Sequence, residues 1–435
     1  MMENVKARTI VCIASMVLVL PLFGLNAQEA GPNSLEDYVR MARERSPRVR
    51  AALQKVEATR AREPGAGLLP DPTFQVGVMN LAVPEFSASM PASMAPTFQA
   101  MQRFPIAGKL SLRGEIARQS TDIDLAASEE VWWGVRTEVA VAFYQVYNVD
   151  RQIEVKERTL GLLQDFETIA QAMYGAGTGR QADVLRASVE VARMEAELER
   201  VRAVRVGAAS RLNALVNRPA DTPIGSPTID PLPASIPGQS DLRVAAVESR
   251  PVLAKLQTEV ERAGTRKELA NKAIWPDLIL GLQYGLGRMA GDYKGMGGAS
   301  VGFSIPIYAG RRQHKARDEA AAAEGVALAR LDNALATIDA QVGEVLANLN
   351  QARTLIRLYR EEILPQARVT VESALSSYRV GAVDFMTLVD AQMAVNRFEG
   401  EYFALLASYG SSVAQLEMTI GRDLPVTDEL LVEEE

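Results

Sequence analysis

Four methionines, Met79, Met90, Met94 and Met101, fall within one short stretch of the chain. Thioether sulfur is a soft ligand that suits soft ions such as Cu(I) or Ag(I). Methionine is also a flexible filler of loops and walls, so the cluster makes these residues weak metal candidates. The single histidine, His314, has no second histidine or cysteine near it, which speaks against a metal site there. The single cysteine is Cys12. No GxSxG, HExxH or Walker-type loop is present, so nothing points to an enzyme, and no cofactor is expected.

Two other stretches ask for a structural reason. Residues 174–185 read YGAGTGRQADVL and residues 378–389 read YRVGAVDFMTLV. Each opens Tyr-x-x-Gly, and each lies inside a long Ala-rich region. The same offset aligns Pro47 with Pro251, Glu57 with Glu261, Tyr174 with Tyr378, Gly177 with Gly381 and Arg218 with Arg422. Small local shifts align Pro70-Asp71 with Pro276-Asp277, and FPIAGK (104–109) with IPIYAGR (305–311). The chain reads as one half written twice.

The expected organisation follows from that repeat. Residues 1–27 carry basic Lys6 and Arg8, an apolar run and a small residue at Ala27, the pattern of a secretory signal peptide. Residues 28–218 form the first repeat. The joint, 219–237, holds six prolines and can be neither helix nor central strand. Residues 238–424 form the second repeat, and 425–435 an acidic tail. Without the leader the chain has no cysteine, hence no disulfide and no thiolate site. A net charge of −7 argues against a nucleic-acid partner.

Each half has the same grammar. An amphipathic helix (about 34–66 and 240–274) leads to a Pro-Asp strand start, a strand pair (about 73–106 and 277–308) and a very long helix. The strands alternate. Leu278, Leu280, Leu282, Tyr284 and Leu286 share one face, opposite small and polar residues. That pattern suits a membrane barrel, and equally a hairpin laid on a helical core. Four strands cannot close a barrel, so in a membrane several chains must share one. Residues 106–218 contain no proline. A helix over about 110–173 would run roughly 96 Å at 1.5 Å per residue. Gly161 and Pro365 occupy one register, which predicts a bend in both copies. The Tyr-x-x-Gly turns then reverse the chain, and a second helix returns.

From SPRVRAAL to EMTIGRDL these motifs, in this order and duplicated, resemble the outer-membrane efflux proteins of the TolC type. The resemblance implies a mainly α fold with a small β part. It implies a homotrimer whose shared twelve-stranded barrel crosses the outer membrane and whose long helical hairpins form a periplasmic tunnel. The implied partners are outer-membrane lipid, a periplasmic adaptor (membrane fusion protein) and an inner-membrane efflux pump. The two turns would be the tunnel tips, where the pore closes and the adaptor docks. This singles out Tyr174, Gly177, Val184 and Leu185 at the first tip, and Gly381 and Leu388 at the second. By the same resemblance Asp390 points into the pore as a carboxylate ring, and Tyr378 locks the tip through Asp183. Two family residues are absent: Val383 replaces an arginine and Thr387 a second pore aspartate.

The segment FQVGVMN…MPASMAPTFQAMQRFPIAGKLSLRGE resembles the heavy-metal-efflux branch. The implied function is a passive exit duct, with heavy-metal cations as cargo. A multidrug or small-molecule duct of the same family is the alternative. A periplasmic coiled-coil adaptor is a more distant one, because it would carry one hairpin rather than two.

Overall fold

The computed structural model describes residues 33–79, 95–229, 231–289, 292–424 and 429–430. The expected leader, Met90, Met94 and most of the expected acidic tail lie outside these residues.

The chain opens with α1 (Leu35–Arg45), α2 (Pro47–Arg60) and the short α3 (Glu63–Ala66). The Ser34 hydroxyl caps α1 by accepting from the Asp37 N–H. One helix over 34–66 was expected. Proline instead starts a new helix at Pro47, and the preceding Ser46 is forced extended (φ −61°, ψ 122°). Strands β1 (Thr73–Met79) and β2 (Ala95–Phe104) follow, then α4 (Lys109–Gly175) and α5 (Gln181–Leu215). Among the described residues of the joint the one regular element is the two-residue β3 (Leu232–Pro233).

The second half repeats the order. Helices α6 (Gln239–Ser249) and α7 (Pro251–Lys272) part at Pro251, as α1 and α2 part at Pro47. Strands β4 (Asp277–Met289) and β5 (Asp292–Ser304) lead to α8 (Gln313–Leu358), α9 (Leu364–Arg379) and α10 (Phe385–Ile420). The two-residue β6 (Glu429–Leu430) pairs with β3.

At 67 residues, α4 runs unbroken through Gly161. The second copy alone changes its winding, in a π-turn at Tyr359–Ile363 just before Pro365. Proline has no N–H to give the helix, and the wider turn absorbs the missing bond. Glycine keeps its N–H, so α4 needs no such turn.

The long strands form one antiparallel sheet in the order β1-β2-β4-β5. Its register, Val76 opposite Phe98, Phe98 opposite Tyr284 and Leu280 opposite Val301, puts the apolar positions of all four strands on one face. That face is bare in the single chain: Phe74 and Val76 are 75% exposed and Leu282 67%. The other face carries Gln75, Gln99, Gln283, Ser300 and glycines.

The helices bury two cores. The larger gathers Tyr38, Phe143, Tyr147, Leu242, Leu253 and Tyr409. Here α4 and α10 approach so closely that a Cβ on Gly410 would sit 2.4 Å from the Tyr144 ring. The proline-rich joint straps this core, burying Ile224 and Leu232, and Pro233 accepts the Tyr409 hydroxyl. The second core lies at the far end, around the Tyr-x-x-Gly turns. Among the described residues no helix is long and apolar enough to cross a membrane.

Candidate functional site

Both tip turns have one backbone solution. After α4, Gly177 N–H donates to Tyr174 C=O and Thr178 N–H to Met173 C=O. After α9, Gly381 N–H donates to Tyr378 C=O and Ala382 N–H to Ser377 C=O. These are paired Schellman closures, which need a left-handed residue just past the helix end. Gly177 (φ 74°) and Gly381 (φ 73°) supply it. The Tyr-x-x-Gly spacing therefore places glycine at the left-handed position and tyrosine three residues earlier, where its carbonyl accepts the closing bond.

The side chains differ. Tyr174 is 49% exposed, whereas Tyr378 is 3% exposed and meets Phe385 edge-on at 5.5 Å. Leu388 and Val389 are buried, while Leu185 is 60% exposed. Val184 is half-buried against the tip core. Leu388, expected at the docking surface, is instead a core residue. It shapes the second tip from inside and offers no surface of its own.

Asp183 stands in the first turn of α5 and is buried. Burial raises the pKa of Tyr378, and the Asp183 charge is a smaller cause in the same direction. The Tyr378 hydroxyl makes no hydrogen bond among the described residues, so the expected lock bond to Asp183 is not formed in the single chain. Asp390 lies exposed on α10, directly after the buried Leu388 and Val389.

One feature of the second tip escaped the sequence reading. Asp384 caps α10, accepting from Thr387 N–H at 3.0 Å and from the Thr387 hydroxyl at 2.6 Å. These bonds, with Arg186 and Arg180 nearby, hold its carboxyl below the usual aspartate range. Aspartate followed by threonine three residues later was the available signal. Higher up, buried Glu399 on α10 accepts from Arg158 of α4 and Arg368 of α9, both at 2.9 Å. It ties three helices next to the π-turn.

Of the four methionines only Met79 and Met101 lie within the described residues. Met79 ends β1 opposite Ala95, and Met101 lies on the polar face of β2, opposite Thr73 and Gly281. Met296, missed from sequence, shares that polar face on β5. Among the described residues no group of three His, Cys, Asp or Glu could hold a metal ion.

A sheet with one bare apolar face, joined to helices of this length with two tip turns, is an unusual combination. The family model "Outer membrane efflux protein" matches residues 38–218 and 242–422. The chain belongs to this family. It is an outer-membrane efflux channel, and the family is one of channels rather than enzymes. The cobalt-zinc-cadmium resistance protein CzcC of Cupriavidus metallidurans is 22% identical over 94% of this chain and 93% of its own length. The pyoverdine export outer membrane protein OpmQ of Pseudomonas putida is 22% identical over 87% of this chain and 84% of its own. The outer membrane protein VceC of Vibrio cholerae has the same fold, with a TM-score of 0.75 and 18% identity over 89% of this chain and 96% of that one.

Proposed function

We propose that three copies of this chain form an exit duct for heavy-metal cations, fed by an inner-membrane pump through a periplasmic adaptor that meets the tips. The carrying observation is the four-stranded sheet, bare and apolar on one face and open at β1 and β5. Open edges are not tolerated in lipid, so other chains must close it. Two copies would make eight strands, whose interior side chains fill it. Three make twelve and leave a lumen, lined by the glutamine, serine and glycine face. The helices then continue the lumen into the periplasm.

Likeness to a cobalt-zinc-cadmium resistance protein supports divalent cations as cargo. A ring of Asp390 carboxylates at the tip suits them, because a ring of acids raises the local cation concentration. Likeness to a pyoverdine exporter supports small-molecule cargo as the second reading. Tip opening would separate Tyr378 from Asp183 and widen the passage. Among the tip residues, Tyr174 and Leu185 are the ones exposed for an adaptor to touch.

Planar-bilayer recording tests the reading. The purified protein is expected to show a small, cation-selective conductance, and Asp390→Ala to lose the selectivity. Asp183→Ala combined with Tyr378→Phe is expected to raise the conductance. A channel with unchanged selectivity in the Asp390 variant would remove the carboxylate ring and favour the small-molecule reading.

A further inference from the structure

Within one chain the two halves meet at a buried ion pair. Lys109, the first residue of α4, is 6% exposed. Its Nζ donates to Asp277 Oδ1 at 2.7 Å and to the Trp275 carbonyl at 2.6 Å. Lys109 follows the strand exit of the first half, and Asp277 opens the first strand of the second. The pair sits where the sheet gives way to helix and fastens the β2–β4 seam.

Each partner has a counterpart in the other half. The exit motif aligns Lys109 with Arg311, and the Pro-Asp strand start aligns Asp277 with Asp71. Both counterparts are exposed, and neither has an ion-pair partner among the described residues. They belong to the two outer strands, Asp71 just before β1 and Arg311 just after β5. One chain cannot bring them together, because β2 and β4 lie between their strands.

We propose that Arg311 of one chain pairs with Asp71 of a second copy, so that the seam between chains repeats the seam within a chain. This deepens the ring reading above, on which it rests. The register gives an independent check. In the inner seam Phe104 faces Leu278 and Gln102 faces Leu280. Carried to the outer strands through the same sequence alignment, that register sets Ile305 opposite Pro72, Phe303 opposite Phe74, and Val301 opposite Val76. The exposed apolar residues of both edges then fall on one face, continuous with the rest of the sheet. A slip of one residue would turn them to opposite faces.

The helices carry the same incompleteness. On α4, Gln119 and Thr121 are buried, and α7 crosses nearby, where Arg262 Nη1 donates to Ser120 Oγ at 3.2 Å. Counting on from Arg311 as from Lys109, the matching residues of α8 are Ala321 and Ala323, and both are exposed. The helix that answers to α7 is α2, so α2 of the second copy is the element placed to cover them.

The chain lends itself to a direct test, since its one cysteine is Cys12, within the expected leader. The double variant Asp71→Cys/Arg311→Cys, held in outer membranes, is treated with a short bis-maleimide and run on a denaturing gel. Lys109→Cys/Asp277→Cys, read by peptide mass, sets the reach expected across such a seam. Covalent dimers and trimers in the Asp71/Arg311 double variant, and none in either single variant, are the expected result. Asp71→Arg and Arg311→Asp are each expected to lower the temperature at which the assembly dissociates in detergent, and the exchanged pair to restore it. No cross-link in a protein whose light-scattering mass is that of a trimer would overturn the pairing and leave the ring standing. A monomeric mass would overturn both.

Discussion

The two tips share a backbone and almost nothing else. Both close by the same pair of hydrogen bonds around a left-handed glycine. At matched positions, however, the first tip carries Arg180 and Arg186 where the second carries Asp384 and Asp390. The first exposes Tyr174 and Leu185, and the second buries Tyr378 and Val389. Duplication fixed the turn, because only a residue tolerant of positive φ ends a helix that way. The side chains then parted: the second tip became core and acid, and the first became surface and base. In the duct proposed above, an asymmetric pair of this kind would separate two tasks, closing the passage and meeting a partner.

The largest expected effect tests whether the second tip is the core. Leu388→Ala should cost about 2–5 kcal/mol of local stability, the usual range for a buried leucine. At the matched first-tip position, Val184→Ala should cost less, because Val184 is only half-buried. At exposed Leu185, alanine should fall within about 0.5 kcal/mol of the native chain. Hydrogen exchange over 375–395 and 172–190 reads both tips in one experiment. Equal loss of protection at the two tips would erase the distinction. If Leu185→Ala leaves exchange unchanged but weakens adaptor binding, the assignment of surface to the first tip becomes sharper.

The next effect tests what the tips share. Gly177→Ala and Gly381→Ala each force a Cβ into the left-handed region, at about 1–2 kcal/mol. No atom lies within 4 Å of either new Cβ, so the cost is conformational in both. The two variants should therefore lose stability to the same extent, measured as a shift in local exchange. Unequal losses would mean that the closures are not equivalent.

These contrasts show what sequence can and cannot carry. The turns were legible because glycine answers a local demand, and the long helices because alanine-rich, proline-free runs do the same. Period-2 alternation likewise exposed the sheet's two faces. The break at Pro47 was also local: Ser46-Pro47 is a helix-start signal, hidden by the apolar periodicity running across it. The π-turn was not legible at Pro365 alone, since Gly161 in the same register leaves α4 regular. Burial at the tips depended on which hairpin covers which, and that is decided between residues some two hundred positions apart. The Lys109–Asp277 pair was hidden for the same reason.

A smaller effect separates the tips by pH. Asp384 caps α10, whereas its counterpart Arg180 makes no side-chain cap on α5. Hydrogen bonds from Thr387 hold the Asp384 carboxyl below its unfolded value. The cap's contribution is therefore complete above the ordinary aspartate range, and is lost as pH falls through the lowered folded value. Acid should fray the first turn of α10 while the first turn of α5 stays unchanged by this route. Asp384→Ala should fray it at neutral pH and abolish the acid step, as seen by exchange at Phe385–Leu388.

The smallest effect is the most diagnostic. In the single chain the buried Tyr378 hydroxyl has no hydrogen-bond partner among the described residues, and a buried unpaired group is a cost. Tyr378→Phe should then leave stability unchanged or raise it by up to about 1 kcal/mol. Burial, reinforced by the Asp183 charge, lifts this tyrosine's pKa. Its contribution is complete below the unfolded value and lost as pH rises through the raised folded one, and the phenylalanine variant should lack that alkaline loss. Measured in the assembled protein, the sign of the change decides what the hydroxyl does. A gain or no change means that it stays idle, and any altered conductance of the Asp183/Tyr378 variant must come from the carboxylate. A loss of about 1 kcal/mol or more means that the hydroxyl finds an acceptor once the chains assemble. That acceptor would supply the proposed lock through a bond that one chain alone does not make.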